Sequence, residues 1–150
     1  MKKKELKGIY VQGMGCVSSY WQQVTENCRR KFSWIERCVP GTFNVDVNSG
    51  ILTEGVRSWF DQFLKKVKRK GGEGYVDGYA GGYTEGYVYE FARVTRINDL
   101  GIMCWIYRGE LGANVLELLS YSKLSQKLNI SHGDEVRLVI EEDEPVKDSV

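Results

Sequence analysis

The sequence has little histidine and little proline, and it lacks any long apolar segment. His132 is the only histidine, and there are 2 prolines and 4 cysteines. No two cysteines form a Cys-x-x-Cys pair, which argues against a zinc site. His132 lies in a segment typical of a surface turn, so a histidine-based catalytic triad is also disfavoured. No stretch approaches the roughly 20 apolar residues of a membrane-spanning helix.

Charge of one sign is not in excess either. The formal net charge is +1 at pH 7, so the whole chain exerts no electrostatic pull toward nucleic acid or membrane. Two lysine-rich patches, at 2–7 and 65–70, are interpreted as a solvated tail and the end of a helix. Nucleic acid and membrane partners are therefore not expected.

The composition that is present predicts one folded domain. A hydrophobic content of 42% over 150 residues is enough for a substantial core. We expect a single domain over 1–150, with an acidic, solvated tail at 141–150. Reduced cysteines and the absence of an apolar leader predict a cytoplasmic protein.

Periodicity predicts many short strands and few helices. Helical spacing of apolar residues marks 18–37 and 56–67, and a shorter capped helix is predicted over 122–128. Strands are predicted at 6–12, 43–47, 87–95, 101–107, 115–119 and 135–140. The fold class is therefore mainly β with helices (α+β), a small closed β-barrel with two or three peripheral helices.

A Gly-Tyr dipeptide recurs every four residues within 74–87. In an extended chain this period places all four tyrosines on one face. The tyrosines could stack on a planar ligand, or they could belong to a glycine-rich hairpin that covers the barrel. The repeat alone does not decide between these two interpretations.

The segment Pro40-Gly41-Thr42-Phe43-Asn44-Val45 places a hydroxyl and a carboxamide two residues apart. In a strand, Thr42 and Asn44 share one face. Two neutral oxygen ligands beside a glycine turn suit a magnesium ion whose charge is balanced by nucleotide phosphates. The alternative is the exposed polar face of an ordinary strand.

Several blocks in this order resemble one family. They are Gly8-Ile9-Tyr10-Val11-Gln12-Gly13-Met14-Gly15, Gly41-Thr42-Phe43-Asn44-Val45, Val115-Leu116-Glu117-Leu118-Leu119, Lys123-Leu124, and Leu128-Asn129-Ile130 with Gly133-Asp134. Over 7–49 and 100–141 the chain resembles the archaeal CTP-dependent riboflavin kinases, which are small cradle-loop β-barrels. The resemblance implies a riboflavin-kinase-like barrel, with an atypical central insertion at about 50–98.

The resemblance also implies an activity, which is transfer of the γ-phosphoryl group of CTP to riboflavin, giving FMN. The implied partners are a small-molecule nucleotide and a flavin, with Mg²⁺ as cofactor. Thr42 and Asn44 would hold the magnesium and Glu117 would contact the flavin. The implied nucleotide-binding residues are Gly13, Met14, Gly15, Ser122, Lys123, Leu124 and Ser125. The comparison identifies no catalytic base.

The chain departs from the family pattern at several positions. The run from Cys16 to Trp21 replaces a Glu-Gly-Arg-Tyr-Phe-like run, Gly109 stands where the family has threonine, and Ser125 where it has arginine. A catalytically silent barrel that binds a flavin, a nucleotide or another planar ligand is therefore an alternative. A third possibility is an AbrB-like interaction module, because residues 123–136 also resemble that helix-turn-strand hairpin.

Overall fold

The computed structural model describes residues 2–13, 21–29, 32–47, 58, 61–63, 89–109 and 115–142. The strands are β1 (Lys2–Val11), β2 (Phe43–Asp46), β3 (Tyr89–Ile97), β4 (Leu100–Gly109), β5 (Val115–Ser120) and β6 (Glu135–Glu142). The helices are α1 (Trp21–Cys28), a 3₁₀ helix (Ser33–Arg37) and α2 (Leu124–Lys127). Residues 58 and 61–63 are also helical. No helix within these ranges is long and apolar enough to cross a membrane.

The described strands close into a barrel in the order β1-β2-β5-β4-β3-β6. Every neighbouring pair is antiparallel. Strand β6 pairs with both β1 and β3, and this double pairing leaves no open edge. The predicted small closed barrel of mainly β structure is confirmed.

Alternation along the strands fills the barrel with aliphatic side chains. On β6, Val136, Leu138 and Ile140 are fully buried, and the residues between them are more exposed. Phe63, from the second predicted helix, packs into the same interior cluster. Further members from the five other strands are Leu6, Val45, Val94, Ile97, Ile102, Cys104, Ile106, Leu116 and Leu118.

A second cluster covers the outer face of β4 and β5. Trp105 and Tyr107 alternate with interior residues of β4 yet are buried, because the segment from α1 through the 3₁₀ helix packs over them. The rings of Trp34 and Trp105 stack with centroids 4.0 Å apart. Burial of β4 on both faces was predicted from its nearly continuous apolar sequence. The exceptions are Leu100, Gly101 and Met103, which are exposed.

The structure differs from the sequence prediction in the helix expected over 18–37. Helix α1 ends at Cys28, and Phe32 has φ −122° and ψ 73°, outside the helical region. The tighter 3₁₀ helix that follows buries two consecutive residues, Trp34 and Ile35. Contact with the barrel therefore overrides the helical periodicity at this point.

Parts of both charged ends of the sequence belong to strands, namely residues 2–7 in β1 and residues 141–142 in β6, while residues 143–150 of the predicted acidic tail lie outside the described residues. Lys3 lies opposite Glu141 in the β1–β6 ladder, and their side chains form an ion pair of 3.1 Å. Cross-strand pairs of opposite charge favour this register. Residues 89–97, at the end of the region interpreted as an insertion, form β3 and are therefore one of the strands of the barrel. The Gly-Tyr repeat lies outside the described residues.

Candidate functional site

The candidate site lies at one end of the barrel, where two loops meet. Residues 40–42 lead into β2, and residues 121–125 follow β5. Phe43 pairs with Leu118 in antiparallel register, so the start of β2 and the end of β5 lie side by side. Gly41 has φ 106°, a conformation that glycine adopts without steric penalty.

These loops enclose a cleft of about 270 Å³. Thr42 lines one wall and the predicted nucleotide-binding segment lines the other. Among the described residues that line the cleft, Lys123 is the only charged one, and the other polar groups are mainly hydroxyls. The lining residues are Tyr10, Val39, Pro40, Gly41, Thr42, Phe43, Leu118, Ser120, Ser122, Lys123, Leu124 and Ser125. The cleft thus presents hydroxyl groups and one cation to whatever enters it.

An aromatic pair forms part of the cleft wall and was not predicted as a site feature. The rings of Tyr10 and Phe43 stack with centroids 4.8 Å apart and planes 8° from parallel. Both residues also line the cleft. The available signal was the alternation of Leu6, Gly8 and Tyr10 along β1, which places Tyr10 on the interior face.

Thr42 and Asn44 are in direct contact. The hydroxyl of Thr42 donates a hydrogen bond to Oδ1 of Asn44 over 2.7 Å, and both residues are half-buried. Two magnesium ligands at about 2.1 Å, set at right angles, lie about 3 Å apart. The two oxygens therefore have nearly the separation of neighbouring ligands in an octahedral shell, so the pair fits the predicted ion.

Gly13 lies against Asn44 at the end of β1. A Cβ atom built on Gly13 would come within 2.6 Å of Nδ2 of Asn44, too close for a real side chain. Glycine at this position therefore allows the backbone to approach the carboxamide. The other predicted members of this turn, Met14 and Gly15, lie outside the described residues.

Glu117 joins this group on a different face from the cleft. It is the cross-strand partner of Asn44, while Phe43 and Leu118 form the adjacent pair. Phe43 and Leu118 point into the barrel, so Asn44 and Glu117 point outward. Thr42 connects the two sides, since it lines the cleft and also bonds Asn44.

Hydrogen bonds in and beside the cleft wall hold its two loops at a defined distance. The amide of Val39 donates to the carbonyl of Ser120 over 2.9 Å. The guanidinium of Arg37 lies 4.9 Å from the ring centroid of Tyr121 and donates to its hydroxyl over 3.1 Å. Within the second loop, Oγ of Ser120 accepts from the amide of Ser122 over 3.2 Å. The cleft is thus a built feature of the fold, not a gap between independent loops.

The cysteines in the described residues are buried and belong to the core. Burial raises the pKa of the Cys28 thiol to about 11 and that of Cys38 to about 12. Full burial also raises the pKa of Cys104, and the neighbouring Cys38 adds to that shift. At neutral pH these groups are thiols, which are poor nucleophiles.

The sequence matches no protein-family model and no curated protein at a significant level. Within the described ranges, no group of three or more His, Cys, Asp or Glu side chains could hold a metal ion.

Proposed function

We propose that this chain is a riboflavin-kinase-like phosphotransferase, which transfers the γ-phosphoryl group of CTP to riboflavin and forms FMN. One observation carries the proposal. Three segments that are far apart in sequence, at Gly13, at 42–44 and at 117–125, meet at one end of the barrel. These are the segments to which the resemblance assigns ligand contacts.

Each of these residues has a role that follows from its chemistry. The two oxygens of Thr42 and Asn44 would hold magnesium, which supplies charge neutralisation for the phosphates. Lys123 and the neighbouring serine hydroxyls bind phosphate oxygens in the cleft. Gly13 would contact the nucleotide through its backbone amide. Glu117 binds the flavin on the outward face.

Phosphoryl transfer needs little covalent chemistry from the protein. Catalysis by such a site comes from positioning the acceptor hydroxyl and stabilising charge on the transferred group. Groups set by strand register suit this task, because strands hold side chains more rigidly than loops do. Asn44 and Glu117 are set in this way, on neighbouring positions of β2 and β5.

The direct test is product formation. Purified protein is mixed with riboflavin, magnesium and either CTP or ATP, and FMN is sought by chromatography. We expect FMN with CTP, and none from the Asn44→Ala variant or without magnesium. No FMN with any nucleotide would exclude the kinase function.

A second candidate is a catalytically silent barrel that binds a flavin or another planar ligand. The observation in its favour is the charge of the cleft, where Lys123 is the only cation among the described lining residues. The resemblance also implies an arginine at the position where this chain has Ser125. A single cation balances a triphosphate poorly. Quenching of riboflavin fluorescence on mixing, with no FMN formed in the presence of CTP, would favour this second function.

A further inference from the structure

The only histidine of the chain is bonded to the segment that contacts the candidate metal pair. Nδ1 of His132 accepts a hydrogen bond of 3.0 Å from the backbone amide of Gln12, across 120 positions of sequence. Gln12 immediately precedes Gly13, the residue that packs on Asn44. An imidazole that accepts at Nδ1 carries its proton on Nε2.

The turn that contains His132 also forms backbone hydrogen bonds with the end of β1. The amide of Gly133 donates to the carbonyl of Tyr10 over 2.8 Å, and the amide of Tyr10 donates to the carbonyl of Asp134 over 2.9 Å. These bonds are made by the backbone and do not depend on the side chain at 132. The bond from Gln12 is the only contact of this group that needs an imidazole nitrogen.

The contacts form a continuous path from His132 to the candidate magnesium ligands. His132 fixes the amide of Gln12. Gly13, the next residue, lies so close to the carboxamide of Asn44 that no Cβ would fit between them. Oδ1 of Asn44 in turn accepts from the hydroxyl of Thr42. A shift of the backbone at Gln12 would therefore move the surface against which Asn44 is packed.

We infer that His132 is a positioning residue, which holds the Gln12–Gly13 backbone and thereby orients the carboxamide of Asn44 for metal binding. His132 itself is exposed and contributes little to the core. That this orientation of Asn44 favours metal binding rests on the proposed function. The positioning itself can be tested without any ligand.

The test uses three variants of the full chain. His132→Ala removes the acceptor. His132→Asn replaces it, because the amide oxygen of asparagine occupies nearly the place of Nδ1. Ser131→Ala is the matched control, an exposed neighbour in the same turn whose contact with Asp134 is made by the backbone amide. Since both positions are exposed, we expect nearly equal melting temperatures for the three variants.

The first readout is nuclear magnetic resonance of the ligand-free protein. In His132→Ala we expect the Gln12 amide to exchange with solvent about fivefold to tenfold faster, the factor that one lost hydrogen bond represents. The side-chain amide signals of Asn44 should also shift. His132→Asn and Ser131→Ala should keep the wild-type behaviour at both residues. An unchanged Gln12 amide in His132→Ala, equal changes in the alanine and asparagine variants, or an unmoved Asn44 would each overturn the inference.

The second readout is binding of manganese, as a probe for magnesium, in the presence of CTP. We expect His132→Ala to weaken binding about threefold to tenfold and His132→Asn to restore it. Wild-type affinity in His132→Ala would overturn the role in metal binding. If the wild-type protein bound no manganese with CTP, the proposed function would fail, while the resonance experiment would still decide whether His132 positions Asn44.

Discussion

Asn44 is the residue on which the contacts of the candidate site converge. Its carboxamide accepts from Thr42, lies against Gly13 and sits across the ladder from Glu117. The three neighbours of Asn44 differ in what they contribute. Thr42 donates a hydrogen bond, Gly13 has no side chain and so allows close packing, and Glu117 places a carboxylate on the same face of the sheet.

Replacing Asn44 by alanine should abolish magnesium-dependent nucleotide binding and leave the fold intact. The side chain is half-buried on the outward face of β2, and its loss removes one hydrogen bond, which costs about 1 kcal/mol of unfolding free energy. Isothermal titration and thermal unfolding measure the two effects. Thr42→Ser, which keeps the hydroxyl, is the control and should bind like the wild type. A large loss of stability in Asn44→Ala would assign the residue a structural role.

Lys123, which immediately precedes α2, and Lys127, the last residue of α2, offer a matched comparison. Both side chains are exposed, but only Lys123 lines the cleft. Lys123→Ala should weaken nucleotide binding by about tenfold, since a charged hydrogen bond to phosphate is lost, and the effect should shrink at high salt. Lys127→Ala should leave the affinity unchanged. Equal effects of the two substitutions would indicate general electrostatic attraction instead of a defined contact.

Among the elements, β1 and β2 approach each other unusually closely. A Cβ on Gly8 would lie 2.6 Å from Cγ1 of Val45 and 2.9 Å from the backbone oxygen of Asp46. Because the second neighbour is backbone, no rotamer change relieves that contact. The approach brings the end of β1 against the start of β2, which is where Gly13 meets Asn44.

Gly8→Ala should therefore destabilise the protein, by about 1 to 3 kcal/mol, as overpacking of a dense interior does. Gly101 is the internal control, since it also lies in a paired strand and a Cβ there would meet nothing within 4 Å. Gly101→Ala should change the unfolding free energy by less than about 1 kcal/mol and in the stabilising direction. Urea unfolding measures both. Similar stability of the two variants would contradict the close approach of β1 to β2.

At the scale of the whole molecule, the described residues form two hydrophobic clusters, which share strands β4 and β5. The barrel interior is mainly aliphatic, and the outer cluster between the helical segment and β4–β5 is mainly aromatic. Cys104 belongs to the first cluster, and Cys28 and Cys38 belong to the second. Stability at high pH therefore reports on both clusters through their thiols.

The free energy of unfolding should be insensitive to thiol ionisation at neutral pH and should fall above about pH 9. The thiols ionise at 9.0 when unshifted, but burial raises the pKa of Cys28 to about 11 and of Cys38 to about 12. The unfolded chain thus loses these protons first, and the stabilisation present below pH 9 disappears as the pH rises through the folded values. Each thiol contributes up to about 1.4 kcal/mol per pH unit in that window.

The measurement is urea unfolding of the wild type and of Cys28→Ala between pH 8 and pH 10.5. Comparing the two slopes removes the contribution of lysine and tyrosine titration, which both proteins share. The variant should be less stable at pH 8 and should lose stability less steeply as the pH rises. Equal slopes would contradict burial of the Cys28 thiol.

Local sequence was sufficient to predict most strands and part of the site. Strands near 43–46, 115–120 and 135–142 follow from alternation, and Thr42 with Asn44 follows from a spacing of two in a strand. The break after Cys28 was not predictable in this way, because it depends on the packing of Trp34 on Trp105, a residue of a distant strand. Nor was the stack of Tyr10 on Phe43, which depends on the pairing of two distant strands.

The sequence by itself determined the fold class, because apolar alternation and glycine-rich turns act between near neighbours. It also determined which residues have side-chain oxygens, hydroxyls and charges. Only the tertiary structure decided that Asn44 faces Glu117, that residues 122–125 face Thr42, and that His132 holds Gln12. Those contacts depend on strand register and barrel closure. Register and closure are set jointly by the long-range hydrogen bonds and the core contacts.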